Sequence, residues 1–83
     1  MDCDIRLYPN PTGDLLNIAF SRHENDLSLI LTDILGNELQ TMLIKANQDY
    51  NVFSMDVSGL GKGIYLLNII GKNNKQALRV MKY

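Results

Sequence analysis

The sequence is poor in the residues from which most catalytic and metal sites are built: it has one cysteine, one histidine and no tryptophan. Cys3 has no partner for an internal disulfide and reads as a free thiol, which sets aside a disulfide-stapled scaffold. A nucleophile-and-base pair would have to join Cys3, in the N-terminal tail, to His23, in the polar stretch RHEND, and nothing in the pattern joins them. HEND sets four candidate ligands side by side, but one histidine without a second cluster does not close a metal site. Asp2 and Asp4 lie in the tail, and Asp33 and Asp56 fall at strand ends as turn formers, so no paired carboxylates are indicated. No catalytic residue, metal ligand or cofactor is assigned, and the chain is read as a non-enzyme.

Long apolar runs are missing too. No stretch approaches the roughly eighteen residues of a spanning helix, and MDCDIRLY lacks the basic and apolar segments of a signal peptide. A cytoplasmic protein or part of a longer one is expected. Helix signals are almost absent: the longest candidate, Leu39 to Lys45, contains Thr41 and Ile44 and has no clear cap. GLGKG at 59 to 63 lacks the spacing of a phosphate loop and leads into IYLLNII, a strand pattern. Basic residues are spread over several elements, without tryptophan among them, which does not make a nucleic-acid face, and no nucleic-acid partner is expected.

Acid is missing from the C-terminal third. Residues 1 to 56 hold all nine acids against Arg6, Arg22 and Lys45, a net −6, whereas residues 57 to 83 carry five cations and no acid, a net +5. This asymmetry marks either an anionic partner or an edge strand guarded by charge against unwanted pairing.

At 83 residues, 46% of them apolar, the chain suits one small folded domain. Residues 1–4 read as a linker remnant or an added start, and residues 5–83 as the domain. Strand signals recur about every ten residues: IRLY, DLLNIAF, LSLILTDI, NELQTMLIK, YNVFSMDV, GIYLLNII and KQALRVMK. Seven short strands with turns between them predict an all-β antiparallel sandwich. Alternation puts Leu16, Ile18 and Phe20 on one face, then Phe53, Met55 and Val57, then Leu78 and Val80, as core candidates. LSLILTDI and IYLLNII are partly apolar on both faces, which fits central strands or a surface that another protein covers. The last strand, charged and with no element after it, is expected at a sheet edge, open to pairing with a strand of another molecule, including self-association.

Both prolines sit one residue apart in LYPNPTG. Pro9 fixes its own φ, Asn10 is held extended by the following ring, and Asn10-Pro11-Thr12-Gly13 suits a type I turn that reverses the chain. In TDILGNEL, Asp33 can accept hydrogen bonds from its own turn and Gly36 can supply the positive φ of a tight hairpin with a bulge.

In order and spacing, LYPNPTGDLLNI, LILTDILGNEL, GLGKGIYLLNI and the terminal KQALRVMKY resemble the C-terminal sorting domain of the type IX secretion system. The resemblance spans residues 5 to 83. It implies an immunoglobulin-like fold of about seven strands and a tail carried behind a cargo domain in one precursor, in a Bacteroidetes-type bacterium. Such cargo passes through the periplasm to the cell surface or the medium. The resemblance also implies recognition by an outer-membrane translocon and removal by a cell-surface sortase. Tyr8, Pro9, Asn10, Pro11 and Gly13 match the opening motif, Asp33 and Gly36 the central turn, and Gly63 and Tyr65 the glycine-tyrosine motif. Arg79, Val80 and Lys82 stand in the basic, apolar last strand as candidates for translocon recognition, with charges spaced where many members have adjacent lysines. The alternative expectation is an adhesion or carbohydrate-binding module, which an aromatic platform would favour; the chain offers Tyr8, Phe20, Tyr50, Phe53, Tyr65 and Tyr83.

Overall fold

The computed structural model describes residues 5–20, 25–46 and 51–83. Cys3, His23 and Tyr50, weighed above, lie outside the described residues. Seven strands form: β1 (Ile5–Tyr8), β2 (Leu15–Phe20), β3 (Leu27–Asp33), β4 (Glu38–Ile44), β5 (Asn51–Asp56), β6 (Gly63–Ile70) and β7 (Lys75–Lys82). Each lies within a residue or two of the segment its alternation predicts. The stretch from Leu39 to Lys45 goes almost wholly into β4, because tertiary pairing with β3 decides a weak local preference.

The strands make two antiparallel sheets, ordered β1-β2-β5 and β4-β3-β6-β7, in an immunoglobulin-like sandwich. Inward alternation from both sheets fills one core: Leu16, Ile18 and Phe20 of β2 meet Leu29 and Leu31 of β3 and Leu67 and Ile69 of β6. The expected Met55, Val57 and Val80 are buried with them. Phe53 and Leu78 are half-buried at the margin, since β5 and β7 are edge strands with core on one side only. Phe53 meets Phe20 edge to face, with ring centroids 5.5 Å apart.

Two local devices fix the sandwich. The β3–β4 hairpin closes with Gly36 N–H donating to the Asp33 carbonyl at 3.1 Å and Asp33 N–H donating to the Asn37 carbonyl at 3.1 Å. Gly36 there has φ +92°, the conformation expected for it, and a Cβ at that position would meet nothing within 4 Å. Steric room is therefore not what selects glycine; backbone strain is. Gly36→Val is expected to lower stability by about 1–3 kcal/mol in chemical denaturation, and an unchanged midpoint would contradict this account of the turn. The second device is the hydroxyl of Tyr65, near the start of β6, which donates to the Gly61 carbonyl at 2.7 Å. This is the tyrosine corner of immunoglobulin-like sandwiches, and it ties the glycine-rich turn to the strand that follows.

Candidate functional site

Asn10 and Gly13 of the opening motif, with Thr12 between them, meet the C-terminal end of the chain. The chain does reverse between β1 and β2, but the hydrogen bond that would close the expected type I turn at Asn10 to Gly13 is not made. Both the Tyr8–Pro9 and the Asn10–Pro11 peptide bonds are cis. The backbone of Thr12, which a local turn would have left idle, is used across the fold. Its N–H donates to the Met81 carbonyl at 2.8 Å, and its carbonyl accepts from Tyr83 N–H at 3.1 Å, making a short parallel bridge beside β7. Two tertiary hydrogen bonds outweigh one local one.

Asn10 extends this bridge with its side chain. Its amide Nδ2 donates to the Arg79 carbonyl at 2.9 Å and its Oδ1 accepts from Met81 N–H at 2.9 Å, so the carboxamide stands in for a peptide unit along the edge of β7. Thr12 is fully buried, its Oγ1 donating to the Leu15 carbonyl at 2.6 Å. Gly13 lies against the ring of Tyr83, whose nearest atom would be 3.5 Å from a Cβ there. β7 is thus bridged near its C-terminal end by residues 10–12, while among the described residues no strand lies beside Lys75 to Ala77 on the side away from β6. Asn10→Ala is expected to cost about 1–2 kcal/mol through two lost hydrogen bonds. Asn10→Asp should cost more, because it turns an oxygen toward the Arg79 carbonyl; equal midpoints for both variants and the parent chain would contradict the bridge.

Sequence reasoning gave Asn10 and Thr12 to a local turn and assigned neither a partner on the last strand, since the partners of Asn10 are 69 and 71 residues away.

At the opposite side of the four-stranded sheet, Asp33 organises the hairpin tip. Oδ1 accepts from the N–H groups of Leu35 and Asn37, both at 2.9 Å, and Oδ2 accepts from Asn37 Nδ2 at 2.8 Å. The Asn37 amide and then the Asn37 N–H, with help from the Leu35 and Gly36 N–H groups, hold the carboxyl below the ordinary carboxylate range against the opposing effect of desolvation. Asp56 is held low in the same way, by the hydroxyl and then the N–H of Ser58. A carboxyl whose folded pKa is depressed contributes stability that is complete above its unfolded pKa, about 4, and is lost as pH falls through the folded value. Urea midpoints should therefore be flat from pH 7 down to about 5 and fall in the acid range below about 4. Asp33→Asn should flatten that acid fall, and an unaltered slope would show that this carboxylate is not part of it.

The three candidates in β7 separate. Arg79 is exposed on the outer face, Val80 is buried in the core, and Lys82 is half-buried with its Nζ donating to the Tyr83 carbonyl at 3.0 Å. Gly63, with φ +147°, opens β6 opposite Lys82. Tyr8 and Pro9 are exposed at the end of β1. None of these arrangements supplies a nucleophile with a base, and among the described residues no group of three metal-ligating side chains occurs. What the site offers is a held terminal strand and a shaped surface.

No curated protein matches the chain. A family model does: that of the secretion system C-terminal sorting domain matches residues 6–82, which takes in the proline motif, the Asp33 hairpin, the Gly63–Tyr65 motif and the bridged last strand. Sorting domains of this kind are signals and not an enzyme family, and they direct the proteins that carry them to the cell surface or the medium. The chain belongs to the C-terminal sorting domain family of the type IX secretion system.

Proposed function

We propose that this domain is a folded address label at the C-terminal end of a cargo protein. It carries the cargo from the periplasm through the outer-membrane translocon, and a surface sortase then removes it. The observation that supports this reading is that the family match covers a seven-stranded sandwich in which Asn10 holds the terminal strand and Asp33, Gly36 and Tyr65 hold the turns. A stable, separately folded label keeps the cleavable join distinct from the part that is read. The join lies ahead of Ile5, where the chain enters the edge strand β1. Arg79 and Lys82 are the charges read on β7, while Val80 contributes through the core.

The test is a reporter with a periplasmic signal fused ahead of residues 5 to 83, in a bacterium with this secretion system. Mass spectrometry of the surface reporter should find the tail gone and the cut upstream of Ile5; surface reporter with the whole tail attached would contradict the sortase step. The Arg79→Gln, Lys82→Gln variant changes side chains outside the core and should shift stability by no more than about 0.5 kcal/mol. If those charges are read, it folds yet leaves its reporter in the periplasm; normal export contradicts their role.

A further inference from the structure

The outer faces of the two sheets differ. On the three-stranded sheet, the ladder turns Arg6, Asn17, Ser54 and Asp56 outward in equal number with Tyr8, Leu15, Ala19 and Val52, so polar and apolar side chains are interspersed. On the four-stranded sheet, Ile30 of β3 and Leu66 and Ile70 of β6 turn outward on central strands that already bury Leu29, Leu31, Leu67 and Ile69 on the other side. The Asp33 turn then lifts Ile34 and Leu35, 70% and 84% exposed, beside that face. Together they bound a groove of about 400 Å³ that also reaches Lys75 and Glu38. The largest contiguous apolar patch on a small domain, a few hundred Å² in extent, often marks an interaction site.

We propose that this groove and the β7 column beside it are the surface by which the secretion apparatus reads the domain. The occupant is a protein segment that presents an apolar side chain to the groove and carboxylates to Lys75 and Arg79. This rests on the sorting reading above, shares Arg79 with it, and adds Lys75 and the apolar groove beside them. Charge places the partner's carboxylates on the β7 side: Lys75 and Arg79 stand in one outward column there, whereas Asp33 and Glu38 line the hairpin side of the groove. Area selects a transient reader over a second copy. Four strands about 4.8 Å apart and about 20 Å long make a face of roughly 400 Å², near half of the roughly 800 Å² per partner that a stable interface buries. A concave groove with a turn along one side suits an inserted side chain better than a flat array of lipid headgroups.

The test uses the same reporter fusion with Leu35→Asp, Lys75→Glu and Arg79→Glu together, all at exposed positions. The control is Arg6→Glu with Val52→Asp on the opposite sheet. The groove variant should leave surface reporter down about tenfold or more, as loss of an anchoring contact does, while the control exports like the parent. Thermal unfolding of each fusion checks the fold. Should the triple variant unfold, the pair Lys75→Glu, Arg79→Glu alone gives the reading, and Lys75→Arg with Arg79→Lys should restore export. Parental export by a folded groove variant, or equal loss in the control, overturns the proposal while leaving the sorting function standing. Failure of the unaltered tail to export overturns both. Two further outcomes replace the occupant and so overturn the proposal: a dimer in size exclusion that the groove variant dissolves, or binding to phosphatidylglycerol vesicles that the groove variant abolishes.

Discussion

A domain carrying Val80→Lys is expected to lose its cooperative unfolding transition and, with it, all export. Val80 is 1% exposed and packs into the core from an edge strand, so an ammonium there has neither water nor a designed partner. Leaving a charge unpaired in a core costs several kcal/mol. A chain of 83 residues has roughly 4–12 kcal/mol in total at the usual 0.05–0.15 per residue, so one such change consumes most of it. Circular dichroism against temperature decides the matter. A folded Val80→Lys domain that nonetheless stays in the periplasm would mean that Val80 is read directly, and that its burial is not what keeps it in the last strand.

Leu67→Ala is expected to destabilise the domain by about 2–5 kcal/mol without changing its strand content. Leu67 is fully buried on β6, between β3 and β7, and the sheets on either side are held by their ladders, so the cavity left behind can collapse only in part. Urea denaturation should show a lower midpoint at an unchanged slope. A loss below about 1 kcal/mol would place the centre of the core elsewhere. Export of this variant should fall at a temperature where the parent still exports, because the label has to be folded when it is read.

The strands were legible because two signals agreed: alternation with a period of two in LLNIAF and NVFSMD, and polar or glycine-bearing breaks between them. The Gly36 turn was legible for a local reason, since Asp33 and Gly36 are close in sequence and the conformation they need is particular to those residue types. The order of strands was not, because the same alternation suits any partner. The type I turn at Asn10 failed as an expectation for a related reason: its local hydrogen bond competed with partners near the C-terminus that no window along the chain contains. Two apolar faces on β3 and β6 left burial and docking open. The structure answers for each residue in turn, with Leu29, Leu31, Leu67 and Ile69 in the core and Ile30, Leu66 and Ile70 on the outer face. The groove needed the hairpin tip beside that face, which is a matter of tertiary position.

The most direct measurement is the location of a periplasm-directed reporter fused ahead of residues 5 to 83 in a bacterium with a type IX secretion system, compared with the same reporter without the tail and with the tail unfolded by Val80→Lys. The account predicts surface or medium reporter with the intact tail and periplasmic reporter in the other two. Equal retention of all three, with the intact tail shown to be folded, would contradict it.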